Sequence, residues 1–180
     1  TAVLVRFQGF NYLTLGDLGG LSGGNYVDGE TPVTKGIMSG LRYPDTYHIC
    51  ANKVSHHGSQ ESTTPWFAAT NNFTISVFTA SLRSYGSSSH ALPTQTAITN
   101  LANTGADTLL YTFIPKNPQI ASSYWEKNNL HYYNDVIIKI PGKPGYGDIN
   151  MVTFQRAKSK DGVYQGPAIK RTIICNKGHD

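Results

Sequence analysis

The chain has 180 residues and a formal net charge of +4, a length that suits one domain at roughly 100–200 residues per domain. Apolar residues make up 39%, enough for a core, while only 14% are charged, against about 25% in ordinary soluble domains. The basic residues are scattered, and Lys158-Ser159-Lys160 and Lys170-Arg171 are too short for a nucleic-acid-binding stripe; no apolar run approaches the ~18 residues of a membrane helix.

In chain order, residues 2–7 and 11–15 read as two strands joined through Gln8-Gly9. The stretch 18–29 is too rich in glycine for a regular element and reads as a loop. Residues 32–41 place apolar side chains at 33, 37, 38 and 41, a helical spacing, with Thr31 as cap and Pro32 in the first turn. Residues 47–54 read as a strand entering a histidine pair. Residues 63–69 carry a capping threonine and a first-turn proline, which predicts a short helix. A β-branched strand follows at 75–79. The clearest helix is 93–103, where Thr94, Ala97, Ile98, Leu101 and Ala102 share one face and Gly105 acts as a stop. Residues 108–114 give the next strand. Beyond it, 135–140, 151–155 and 170–175 read as an antiparallel terminal sheet, separated by turns such as Pro141-Gly142-Lys143-Pro144-Gly145. The alternation predicts one α/β domain over 1–180, a mixed sheet with helices on one face.

Cys50 and Cys175 have no C-x-x-C partner and read as two buried thiols. A weakly charged chain with 11 tyrosines points to a secreted or extracytoplasmic setting, and Asn72-Phe73-Thr74 fits a glycosylation sequon. The first residue, Thr1, stands at the start of a strand without a methionine, as expected of a processed or trimmed product.

Two segments carry the chemistry. Tyr12-Leu13-Thr14-Leu15-Gly16-Asp17 and Lys53-Val54-Ser55-His56-His57-Gly58-Ser59 each run along an apolar strand into metal-ligating residue types beside a glycine. A sheet delivers imidazole and carboxylate groups to an accessible edge in this way. Plainer readings exist: Asp17 as a turn or cap residue, and His56-His57-Gly58 as a polar loop with one structural histidine. His48 reads as structural, and His131 and His179 as solvent-exposed.

The ordered set of Gly16-Asp17, His56-His57-Gly58-Ser59, Ser62-Thr63-Thr64 and Tyr85-Gly86 with His90 resembles the C-terminal half of a metallo-β-lactamase-fold hydrolase. The branch it resembles contains the hydrolase domain of bacterial DNA-uptake (competence) proteins. The resemblance covers residues 1–114, with 115–180 as compatible terminal strands. It implies half of an αββα sandwich and two divalent metals, zinc first, with manganese or iron accepted. Asp17 matches the carboxylate that bridges the metals, which its two oxygens allow across about 3.5–4 Å. One of His56 and His57 matches the last histidine ligand, and the residues leave open which. A metal-bound hydroxide is the implied nucleophile. His90 matches a catalytic position near the substrate, although Ser87-Ser88-Ser89 intervenes after Gly86 where the family places a histidine sooner; a surface-loop histidine is the other reading.

The family's His-x-[His/Asp]-x-Asp-His motif does not occur in the chain. The resemblance therefore implies that the other ligands come from an N-terminal half of the same protein. That half, or a second copy, would cover the apolar face carrying Val3, Val5 and Phe7. A phosphoester is the expected substrate, as an anionic small molecule or polymer. A non-catalytic binding domain is the alternative, supported by the missing motif and by the aromatics Tyr124-Trp125 and Tyr132-Tyr133.

Overall fold

A computed structural model of the chain describes residues 1–7, 10–21, 27–40, 48–79, 92–104, 108–111, 130–132, 135–139, 150–155 and 169–173. Strands β1 (Val3–Phe7) and β2 (Phe10–Thr14) form an antiparallel pair with Val5 opposite Tyr12. From β2 the chain climbs through βαβ units: α1 (Glu30–Ser39), β3 (Ala51–Lys53), α2 (Pro65–Asn71), β4 (Ile75–Phe78), α3 (Gln95–Asn103) and β5 (Thr108–Tyr111). A further strand, β6 (Leu130–Tyr132), completes a six-stranded sheet in the order β1-β2-β3-β4-β5-β6, parallel from β2 onwards. Strands β7 (Asp135–Lys139), β8 (Asn150–Gln155) and β9 (Ile169–Ile173) make a separate antiparallel sheet. The protein is thus α/β with a mixed sheet.

Each successive parallel strand is added on the same side, so right-handed crossovers put every connecting helix on one face. α2 packs between α1 and α3. Register then separates the two faces of the sheet. Leu13, Asn52 and Ser76 stand side by side, and Leu15, Val54 and Phe78 continue that face. This side meets Phe67, Ala68, Phe73, Ala97, Ile98 and Leu101 in one buried cluster. The Phe67 and Phe73 rings lie 5.4 Å apart, tilted by 54°. Full burial of a Leu or Phe side chain contributes about 1.5–3 kcal/mol, so this cluster is the main force closing the helices on the sheet. The Ser76 hydroxyl donates to Asn52 Oδ1 at 2.7 Å, which satisfies the two polar groups buried in it.

The other face carries Phe10, Tyr12, Ala51, Lys53, Ile75 and Val77. Phe10, Ala51, Ile75 and Val77 are buried, so the middle of this face is covered. Ile138 of β7 stands against it, which places the terminal sheet on that side. The edge strand β1 stays open: Val3, Val5 and Phe7 are 45–48% exposed. The apolar face expected to need another chain is therefore covered in part by this chain itself.

Local signals explain most boundaries. Thr64 Oγ1 accepts from the Phe67 N–H at the start of α2, and Thr94 Oγ1 from the Ala97 N–H at the start of α3. α1 begins two residues before the expected start, with Gly29 as its N-cap. The Asp28 carboxylate, not Thr31, closes that first turn by accepting the Thr31 N–H at 3.0 Å. Among the described residues of the expected strand 47–54, Ala51–Lys53 alone join the ladder, and β6 had no counterpart in the sequence reading. Cys50 corrects the reading as a buried thiol. It is buried, as expected, but disulfide-bonded; the chain's other cysteine, Cys175, lies outside the described residues. Among the described residues no helix is long and apolar enough to cross a membrane.

Candidate functional site

Adjacent parallel strands β2, β3 and β4 end at one edge, and the residues just beyond them are Gly16-Asp17, His56-His57 and Thr79. In open α/β sheets, ligands bind outside the carboxyl ends of the strands. Backbone contacts fasten this edge. Gly16 O accepts from the His56 N–H at 3.0 Å and from Lys53 Nζ at 3.3 Å. Thr94 donates to Gly58 O from its N–H at 2.8 Å and from its hydroxyl at 3.0 Å, tying the histidine turn to the start of α3.

The turn itself is strained. His56 has φ 45° and ψ 40°, and His57 has φ 56° and ψ 18°. Left-handed backbone costs an L residue roughly 1–2 kcal/mol, and two in succession persist only where surrounding contacts hold them. Gly58 follows at φ 77°, and a Cβ there would stand 2.7 Å from Pro93 Cβ and 2.9 Å from Phe78 Cε1. Only glycine fits.

The two histidines differ in their contacts. His57 Nδ1 lies 2.5 Å from Thr79 O. A carbonyl can only accept, so Nδ1 carries the proton. The opposite nitrogen, Nε2, faces Asp17 Oδ1 at 3.5 Å. Unless Nε2 is also protonated, a lone pair and a carboxylate oxygen point at each other, an arrangement that a cation between them completes. Asp17 is exposed and His57 is half-buried, so the pair is open to solvent on the aspartate side.

Both donors suit a divalent metal. Imidazole nitrogen and carboxylate oxygen bind zinc at about 2.0–2.2 Å, and in a tetrahedron two such donors stand roughly 3.4 Å apart. The His57–Thr79 hydrogen bond is of the kind that orients an imidazole whose other nitrogen binds a metal. The number of donors falls short. His56 does not join the pair, and among the described residues no group of three His, Cys, Asp or Glu side chains could hold a metal. The pair fits a metal in kind and orientation and supplies only part of a coordination shell. His90 lies outside the described residues, and so does the side chain of His131. His48 is buried with Nε2 2.8 Å from Thr74 Oγ1, the structural role expected of it.

Two ionisable residues at this edge were not singled out by their sequence. Lys53, the last residue of β3, is half-buried and donates to Gly16 O and Val54 O. Burial pushes its ammonium below the usual lysine range, while Asp17 nearby acts the other way. Glu30, the first residue of α1, is wholly buried. Its carboxylate accepts the Thr63 N–H at 2.5 Å, and the Thr64 N–H and hydroxyl at 3.1 and 3.3 Å. Thr63 has φ 58°, and Asn100 on α3 donates to its carbonyl at 2.8 Å. Glu30 and Asn100 thus clamp the segment after the histidine turn from both flanking helices. Burial pushes the Glu30 carboxyl up to about 7 against the pull of the Thr63 and Thr64 hydrogen bonds. An added Cβ on Gly20 would stand 2.1 Å from Glu30 Oε2, so Gly20 also packs against this carboxylate. The sequence reading starts this helix at Pro32, which leaves Glu30 outside it.

No family model, curated protein or solved structure matches the chain.

Proposed function

We propose that this chain is the C-terminal part of a metal-dependent hydrolase with a metallo-β-lactamase-type αββα architecture. Asp17 and His57 are two of its metal donors. The observation that carries this reading is the orientation of His57, with Nδ1–H held by Thr79 O and Nε2 turned to Asp17 at 3.5 Å. The placement of both residues beyond neighbouring parallel strands supports it. The remaining donors come from an N-terminal half of the same protein or from a second copy, which would pair with the half-exposed edge strand β1. When bound, the metal, zinc before manganese or iron, would supply Lewis acidity for hydrolysis. The chain's own part is to fix one imidazole tautomer, to hold the Asp17 carboxylate beside it, and to keep the turn rigid through Gly58, Thr94 and Glu30. His90, in the connection between β4 and α3, remains the candidate group for contacting the scissile ester.

A phosphoester substrate follows from the branch resembled and from the net charge of +4. Bis-aryl phosphodiesters, thioesters and lactones assayed on the intact protein, with the segment that supplies the other donors and added zinc or manganese, test it. Phosphodiester cleavage that falls with Asp17→Asn and His57→Ala is expected, and activity confined to the carbon esters would overturn it. A non-catalytic binding domain is the second reading, favoured by the absence of a three-donor group among the described residues. Cleavage of none of these substrates would support that reading. The disulfide at Cys50 supports an oxidising, extracytoplasmic compartment.

A further inference from the structure

On the sheet face turned away from the helices lies an open cavity of about 450 Å³. Register places its lining side chains on one side of the sheet, with Val5 opposite Tyr12 and Lys53 beside Val77. Val5, Phe10 and Val77 form apolar walls with the Tyr12 ring, and Ile138 of β7 faces them. The polar groups gather at one end. Lys53 ends β3 and Thr79 follows β4, both at the edge that carries Asp17 and His57. The cavity is therefore apolar along the strands and cationic at their carboxyl ends.

Lys53 forms no salt bridge among the described residues, although the Asp17 charge nearby favours its ammonium. Its ammonium donates to two backbone carbonyls, Gly16 O at 3.3 Å and Val54 O at 3.2 Å. An ammonium has three donors, so one N–H is left over. Burial outweighs the pull of Asp17 on this ammonium, and an anion entering the cavity would offset the remaining cost. Thr79 Oγ1, at the same end, is buried without a hydrogen-bond partner.

The geometry points to a binding site for a small amphipathic anion. Its carboxylate or phosphate head pairs with Lys53, and its aryl or medium-length alkyl tail lies among Val5, Phe10, Tyr12, Val77 and Ile138. The volume falls within the roughly 300–1,000 Å³ of small-molecule sites. The cation selects an anion over a neutral lipid, and the walls select a ligand with an apolar tail over a free inorganic anion. This assignment stands on the cavity alone and does not rest on the metal reading. Where both hold, the head group lies beside the Asp17–His57 pair, and the hydrolase acts on anionic esters carrying an aryl or alkyl group.

Isothermal titration calorimetry in the presence of a chelator tests the site with no metal involved. The probes are octanoate, octanol and inorganic phosphate. Octanoate should bind once per chain, roughly ten- to a hundredfold more tightly than octanol, the range expected for a hydrogen bond to a charged group. Phosphate alone should not register. Lys53→Met should remove the preference for octanoate, and Lys53→Arg should retain it. Val5→Trp, at an edge position 48% exposed, should weaken both octanoate and octanol by narrowing the cavity. Equal affinity of the unmodified protein for octanoate and octanol would overturn the proposal, and that comparison needs no variant to fold. So would a preference that survives Lys53→Met, or a failure of octanoate to bind. A chain found by light scattering to dimerise, and to bind octanoate only when dissociated, would also overturn it, because the cavity would then be an interface between copies.

Discussion

Replacing Glu30 by glutamine separates the charge of the buried clamp from its shape. Burial first, and Asp28 second, raise the Glu30 carboxyl from 4.5 to about 7, against the opposing hydrogen bonds from Thr63 and Thr64. The folded chain then keeps this proton through a range in which the unfolded chain has released it. The resulting stability is fully present below about pH 4.5 and is lost as pH rises towards about 7. At about 1.4 kcal/mol per unit, the whole span is about 3 kcal/mol, and roughly 2 kcal/mol of it falls between pH 5 and pH 7.5. Urea unfolding followed by circular dichroism at those two pH values, on the unmodified protein and on Glu30→Gln, isolates the effect. Histidines and other carboxylates titrate in both proteins and cancel in the difference. The unmodified protein should lose about 2 kcal/mol relative to the variant across the interval. Glutamine also brings a constant cost. It keeps an oxygen for the Thr63 N–H but turns an amide donor towards the Thr64 N–H, worth about 1–3 kcal/mol at every pH. A difference that stays flat with pH, or that runs the other way, would mean that the hydrogen bonds keep Glu30 ionised throughout, and would refute the reasoning.

Other changes probe the turn and the disulfide. His56→Gly removes a left-handed side chain without touching the His57–Asp17 pair, and should raise the unfolding free energy by about 1 kcal/mol; a loss of stability would mean that the His56 side chain holds the turn. Gly58→Ala should cost at least about 2 kcal/mol, because the new methyl meets Pro93 and Phe78 at a positive φ. An unfolding free energy within error of the unmodified protein would show that the turn can yield. Thiol titration of the denatured, unreduced protein should find no free cysteine, and reduction should lower stability by about 2–4 kcal/mol. A reactive Cys50 before reduction would contradict the disulfide.

What the sequence makes legible here is local. Thr64 before Pro65, and Thr94 before a run with one apolar face, set α2 and α3 because capping and periodicity act within a few residues. Asp17 and the histidine pair are visible as ligand types at the ends of apolar runs. The contact that favours His57 over His56 is not, because it comes from the Thr79 carbonyl just beyond the next strand, 22 residues away. Glu30 is hidden for the same reason, since its hydrogen-bond partners stand 33 and 34 residues on. Cys50 reads as an ordinary buried thiol until the fold gives it a partner. Covering of the far face was also out of reach, because β7 had a clear strand pattern but nothing local to say which face it would meet.

The central claim is that His57 offers Nε2, with Asp17, to a divalent cation while Thr79 O holds Nδ1–H. Long-range proton–nitrogen NMR spectra of the imidazole rings during a zinc titration test it directly. The His57 Nε2 resonance should move on adding zinc while Nδ1 remains protonated. His56 should be unaffected, and Asp17→Asn should weaken the response about tenfold or more. A His57 signal that ignores zinc, or a response centred on His56 or on His57 Nδ1, would contradict the account.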